Sequence, residues 1–177
     1  MVPEQAEFSL RGCIDEVLRA HRPRGARKGP TLKAQIPYEV PDALLGNSSR
    51  LKQILNKLLG NAIKFTKEGS ITLVAALKER DGCDAIIEIC VIDTGIGIAE
   101  AVAREMFGPL VQADDSATRR SGGSGLGLTI AQRLAELMGG SISVQSTVGV
   151  GSAFRVLLPF ALWGEAQRQP PPGRVAA

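Results

Sequence analysis

The feature that most restricts this chain is a change of hydrophobic period just ahead of its middle. Leu51, Ile54, Leu55, Leu58, Leu59, Ala62 and Ile63 recur at helical spacing, on a segment that Asn47 or Ser48 can cap and that runs to Phe65. Directly afterwards, Ser70 to Leu77 and Ala85 to Ile92 alternate at strand spacing around Arg80-Asp81-Gly82, the pattern of an antiparallel hairpin. A helix with one apolar stripe and a hairpin with one apolar face hide both by stacking. The remaining segments extend that arrangement. A helix is predicted over 9–20, with Leu10, Ile14, Val17 and Leu18 on one face, then a loop or frayed end from His21 to Pro30. A strand follows at Thr31 to Ile36, and a short helix at Ala99 to Met106. A long loop covers 108–123, and a helix from Ser124 to Met138 has Leu126, Ile130, Leu134 and Leu137 on one face until Gly139-Gly140 stops it. Ser141 to Gln145 and Ser152 to Leu158 close the chain as a strand pair. Strands and helices are mixed rather than strictly alternating, so the class is α+β: a two-layer sandwich of a mixed sheet with helices on one face.

Composition narrows the function. The chain has 177 residues, 44% hydrophobic and 22% charged, enough for one domain with its own core. That domain is expected over 1–160, with the Pro-rich stretch of 161–177 as linker or tail. Lys+Arg 21 against Asp+Glu 18 is too even for a nucleic-acid binder, though a small basic excess suits a nucleotide. Cys13, Cys83 and Cys90 show no metal spacing and read as free thiols of a reducing compartment. No apolar run approaches the roughly 18 residues of a membrane span, so a soluble cytoplasmic chain without membrane contact is expected; a parent protein could still be anchored.

Four segments carry chemistry. Arg50, Gln53, Lys57, Asn61 and Lys64 form a polar strip beside the apolar stripe of the second helix. An amide oxygen with a lysine three residues on can serve a hard cation and a phosphate together, although such a strip is ordinarily a solvated face. Asp93 ends the strand face of Ile87, Ile89 and Val91, where an acceptor wants a donor such as an exocyclic amine. Gly95 and Gly97 after it admit a planar base, or simply make a turn. Gly122, Gly123, Gly125 and Gly127 open a helix, where free backbone N–H groups and the helix dipole favour an anion. Their spacing is neither that of the P-loop nor that of the dinucleotide fold. Gly149-Val150-Gly151-Ser152 makes a hairpin turn, and the Ser152 hydroxyl can join the base-binding end.

In this order the segments resemble the histidine-kinase branch of the GHKL ATPases, the superfamily shared with gyrase, the large heat-shock chaperone and the mismatch-repair ATPases. Asn61 to Thr66 is similar to the N box, and Asp93 to Ile98 to the first glycine box. Phe107 to Gln112 is similar to the F box, Gly122 to Leu128 to the second glycine box, and Gly149 to Phe154 to the third. The resemblance covers about Phe8 to Phe160 and implies a Bergerat-type sandwich holding ATP between helices and sheet. It implies that Asn61 binds Mg²⁺, that Lys64 approaches the phosphates and that Asp93 accepts from the adenine amine. Gly95 and Gly97 would lie by the base, with Ser152 assisting through water. Phe107 would begin an ATP lid, and Gly123, Ser124, Gly125, Leu126, Gly127 and Leu128 would present backbone amides to the phosphates. The implied activity is phosphoryl transfer from Mg·ATP to a histidine on a separate dimerisation domain, and from there to a receiver domain.

The chain departs from the family pattern at Lys57, where Asn is usual four residues before the magnesium Asn, and at Leu110, which replaces the second aromatic of the F box. His21 is followed by Arg22 and Pro23 rather than an acid and reads as a surface histidine, so the phosphoacceptor is expected elsewhere. Two other readings stand beside this one. One is a non-enzymatic nucleotide-binding pseudokinase module in which Lys57 blocks transfer. The other is an ATP hydrolase, disfavoured because no carboxylate stands where a water-activating base belongs.

Overall fold

The computed structural model describes residues 5–106 and 125–166. Its strands are β1 (Ala6–Ser9), β2 (Thr31–Gln35), β3 (Ala43–Gly46), β4 (Ser70–Asp81), β5 (Asp84–Asp93), β6 (Ser141–Thr147) and β7 (Gly151–Leu162). Its helices are α1 (Leu10–Lys28), α2 (Ser48–Phe65), α3 (Glu100–Met106), α4 (Gly125–Leu137) and the short α5 (Trp163–Ala166). One seven-stranded sheet runs β1-β3-β7-β5-β4-β2, with β6 also paired to β7. The β2–β4 pair is parallel and the others are antiparallel, so the expected mixed sheet is present.

The α2 helix begins as its sequence dictates. Asn47 caps it, its side chain accepting from the Arg50 N–H at 3.1 Å, and all seven stripe residues from Leu51 to Ile63 are buried. They share one core with alternate residues of three strands: Ile71, Leu73 and Ala75 on β4; Ala85, Ile87, Ile89 and Val91 on β5; Phe154, Val156, Leu158 and Phe160 on β7. The next residue of that face is Asp93 on β5 and, on β7, Ser152. The apolar layer therefore ends in a polar row, and register places Asp93 directly opposite Ser152.

Several boundaries differ from the expectations. The α1 helix does not end near His21 but continues to Lys28 with Pro23 inside it. Packing outweighs the proline: Gly25 is buried against Leu32, and the Gly29 N–H closes the helix on the Gly25 carbonyl at 2.8 Å. The buried stripe of α4 is Leu128, Ala131 and Ala135, whereas Ile130 is 46% and Leu137 66% exposed. This helix packs on α2, and small residues let the two approach closely. The short strands β1 and β3 were not anticipated. They extend the sheet past β7, which runs on to Leu162 opposite Leu44 and leads into α5, where a tail was expected from residue 161.

All three cysteines are free, and burial pushes the Cys13 and Cys90 thiols up to about 11, so neither is a nucleophile at neutral pH. No helix among the described residues is long and apolar enough to cross a membrane.

Leu58 is fully buried in the stripe of α2. Leu58→Ala should lower stability by about 2–5 kcal/mol through lost burial and a residual cavity. Urea unfolding would show it as a lower midpoint with an unchanged slope.

Candidate nucleotide site

The site is built where the end of α2, the end of β5 and the β6–β7 turn meet. The Ile96 N–H donates to the Phe65 carbonyl at 3.2 Å, tying the loop after β5 to the last residue of α2. A Cβ on Gly95 would lie 2.3 Å from that carbonyl oxygen, so only glycine permits the approach. Gly97 has φ +72°, and a Cβ there would stand 2.1 Å from the Thr147 carbonyl oxygen. The Gly149 N–H donates to the Ile96 carbonyl at 2.7 Å, so the β6–β7 turn closes the third side. At the other end of the loop, the Ser70 N–H donates to the Thr94 hydroxyl at 3.0 Å.

Asp93 is 5% exposed and faces this junction. Its carboxylate accepts from the Gly95 N–H at 2.9 Å and from the Ser152 backbone N–H. Burial nevertheless outweighs both bonds and holds the Asp93 carboxyl above its ordinary value. A carboxylate kept where solvation is poor, with four lone pairs and two protein donors, can still accept from an incoming donor. Beside it, the Ser146 and Ser152 hydroxyls are 2.7 Å apart, and Ser146 Oγ accepts from the Ile98 N–H at 2.7 Å. Thr66, the residue that ends α2, is 1% exposed, and its hydroxyl has no hydrogen-bond partner among the described residues.

The expected residues divide into three groups. Asp93, Gly95, Gly97 and Ser152 converge on the junction. Asn61 and Lys64 are half-buried toward the end of α2, within about a turn of the Phe65 carbonyl, and the Lys64 ammonium lies 5.8 Å from the Phe65 ring centroid. Lys57 is exposed one turn earlier. Asn56 cannot stand in for the usual Asn, because its side-chain oxygen meets His21 Nε2 at 2.9 Å on the α1 side. The glycines Gly125 and Gly127, with Leu126, form the first turn of α4; the Leu128 side chain is in the core, leaving only its backbone for a ligand. Phe107, Gly123, Ser124, Leu110 and the expected lid lie outside the described residues. Sequence reasoning missed Thr66 and Ser146. Ser146 was findable, since a hairpin turning through Val148-Gly149-Val150 places it opposite Ser152. Thr66 carried no periodic signal.

The polar residues present fit a nucleotide: an acceptor for an amine, glycines beneath a plane, and a lysine and helix start for phosphates. Among the described residues no group of three His, Cys, Asp or Glu residues could hold a metal, so a cation here would rest on Asn61, phosphate oxygens and water.

Comparison with known proteins agrees with this geometry. Residues 46–162 match the family described as histidine kinase-, DNA gyrase B-, and HSP90-like ATPase. Sensor histidine kinase AruS of Pseudomonas aeruginosa is 38% identical over 176 residues, covering 99% of this chain and 18% of its own length. The signal transduction histidine-protein kinase BarA of Escherichia coli K12 is 41% identical over 154 residues, 87% of this chain and 17% of its own. Among solved structures, full-length ShkA crystallised in complex with AMPPNP superposes with a TM-score of 0.73 at 32% identity, covering 92% of this chain and 32% of that one. The nucleotide-free catalytic domain of histidine kinase ThkA shares the fold, with a TM-score of 0.67 at 23% identity. The chain belongs to the family of histidine kinase-, gyrase B- and HSP90-like ATPases. It spans less than a fifth of the length of these two curated relatives.

Asp93→Asn should leave the chain folded and weaken adenine-nucleotide binding by about 1.5–3 kcal/mol, the worth of a hydrogen bond to a charged group, as read by calorimetry. The raised carboxyl also fixes a sign. The folded form resists ionisation, so Asp93 costs nothing below the ordinary aspartate range and destabilises increasingly as pH rises through its folded value. The difference in thermal stability between parent and Asp93→Asn should therefore shift in favour of the variant as pH rises across that window. An unchanged difference would remove the burial argument.

Proposed function

We propose that this chain is the ATP-binding catalytic domain of a sensor histidine kinase, which transfers the γ-phosphoryl group of ATP to a histidine on a separate dimerisation domain. The observation that carries the reading is the buried carboxylate of Asp93 at the end of the core face, held above its ordinary value by burial and flanked by Gly95, Gly97 and Ser152. Kinase names on the relatives described above support transfer to histidine, and the ShkA complex with AMPPNP supports an adenine triphosphate. The non-enzymatic reading finds no support among them.

In this reading Asp93 accepts from the adenine amine, with Ser152 beside it, and Gly95 and Gly97 leave room for the ring. The first turn of α4 turns its free backbone N–H groups to the phosphates, as Gly125 and Gly127 permit. Lys64 neutralises phosphate charge, and Asn61 offers an amide oxygen to Mg²⁺, which would screen the charge that develops on the oxygens. Positioning and charge neutralisation are most of what phosphoryl transfer asks of a protein. The receiver domain that takes the phosphoryl group from histidine meets this chain only indirectly.

The test is labelled ATP with a separately supplied phosphoacceptor domain from a hybrid kinase. Acid-labile label on that domain, abolished by Asn61→Ala, is the expected result. ATP binding with no transfer to any acceptor domain would favour the non-enzymatic module, and phosphate release without an acceptor would favour a hydrolase. Lys57 is one turn from Asn61, so its ammonium reaches both the cation and the γ-phosphate. A group paired with phosphate in the ground state gains little in the transition state, so transfer by the parent should be slow and only weakly magnesium-dependent. Lys57→Asn should raise the transfer rate about tenfold and restore magnesium dependence. No change in either quantity would mean that Lys57 points to solvent.

A further inference from the structure

A groove lies at the other end of β5 from the nucleotide site, where the tip of the β4–β5 hairpin meets the end of β7, the start of α2 and the end of α4. Its volume is about 660 Å³. The floor is apolar, with Ile86, Leu137, Met138, Pro159 and Phe160, and Leu137 is left exposed there. The rim is acidic. Glu79, Asp81 and Asp84 line it, and Arg50 is the one cation among the lining residues. Asp81 stands directly opposite Asp84 in the ladder, and Glu79 lies two residues along the same strand face. Like charges directly opposite one another destabilise a strand pair. None of the three carboxylates has an ion pair among the described residues. A hairpin that had only to turn would be steadier with opposite charges at these positions.

We propose that this groove is an intramolecular docking site for residues 167–177, the segment that follows α5 and lies outside the described residues. Three observations identify the occupant. The first is where it starts. The Leu162 N–H donates to the Cys83 carbonyl at 2.6 Å, and Cys83 sits in the turn between Asp81 and Asp84. The α5 helix adds four residues, about 6 Å of rise, so residue 167 starts within reach of the rim. The second is charge. The segment reads Gln-Arg-Gln-Pro-Pro-Pro-Gly-Arg-Val-Ala-Ala, with Arg168 and Arg174 and no acid. Guanidinium groups pair with carboxylates through parallel hydrogen bonds, which supplies the cations that the rim lacks. The third is composition between the arginines. Pro170, Pro171 and Pro172 lose little conformational entropy on docking and offer apolar surface to the floor. In an extended proline-type conformation Arg168 and Arg174 stand up to roughly 19 Å apart, enough to engage the rim at two points. Because the segment is tethered, its effective concentration is millimolar, and even a weak contact is populated. Docking moves the point where the polypeptide leaves this domain from the end of α5 to the far side of the groove.

The experiment uses the full chain with ¹³C-labelled methionine methyl groups, because Met138 lines the groove and reports its occupancy. Its resonance is assigned by its loss in Met138→Leu. Arg168→Glu with Arg174→Glu should shift the Met138 resonance. Raising salt from about 0.05 to 0.5 M should move the parent resonance the same way, since rim charges are screened. A synthetic peptide of residues 167–177, added to the arginine-reversed variant, should return Met138 to its parent position. Asp81→Lys with Asp84→Lys should show the shifted position and bind that peptide at least about tenfold more weakly. Both aspartates are exposed, and cooperative melting checks that the reversed hairpin still folds. If it does not, Asp81→Asn with Asp84→Asn carries the same expectation. Three results would overturn the proposal. One is a Met138 resonance that is identical in the parent and the arginine-reversed variant. Another is peptide binding that ignores the aspartate substitutions, which would reduce the groove to an apolar patch. The third is a parent resonance that moves with protein concentration, which would give the groove to a second copy of the chain.

Discussion

A single backbone hydrogen bond, from the Ile96 N–H to the Phe65 carbonyl, joins the helical layer to the sheet at the point where a ligand would enter. It forms only because Gly95 lacks a side chain, since any Cβ there would collide with the same carbonyl. The bond sets the spacing between the last turn of α2, with Asn61 and Lys64, and the end of β5, with Asp93. The β6–β7 turn is fixed to the same loop through the Ile96 carbonyl, while strand register sets Ser152 opposite Asp93 and Ser146 opposite Ser152. A change at Gly95 would therefore displace several functional groups together rather than one.

The polar row at the end of the core face has an energetic character of its own. Most of that face is aliphatic and excludes water. Continuing it with Asp93 and Ser152 puts polar atoms where solvation is poor, and burial accordingly raises the Asp93 carboxyl above its ordinary value. Thr66 adds an unsatisfied hydroxyl. Sites that sacrifice local stability in this way are prepared for a partner that makes up the missing bonds. In this domain the cost is confined to one end, and the rest of the sheet carries the stability.

The legibility of these elements in the sequence follows their length and periodicity. The seven-residue stripe of α2 and the alternation along β4 and β5 were plain, because burial on one side imposes a period. The glycine loop after Asp93 was legible as a close approach, though not which carbonyl it approaches. Elements held mainly by tertiary contact were not: β1 and β3 have four residues each, too few for a pattern. The α1 helix passes through Pro23 because Gly25 and Leu32 pack, a fact about partners distant from any local rule. The α4 stripe was misplaced because alanine gives a weak hydrophobic signal, yet alanine is what a close helix contact uses. Thr66 was hidden for a related reason, since an unsatisfied hydroxyl is defined by what does not surround it.

The sheet order has a mechanical consequence. The first strand lies at one edge of the sheet and the last strand two places in from it: Phe8 of β1 and Phe160 of β7 stack edge to face at 5.6 Å, with β3 between the two strands. Ser152 lies near the start of the same β7 at the Asp93 end, and the ten residues after it reach Leu162 roughly 33 Å away. Any neighbouring polypeptide joined before β1 or after α5 is thus tethered at a corner remote from the cleft. Such a tether works as a pivot: a small rotation at that corner sweeps the cleft through a wide arc without deforming the pocket.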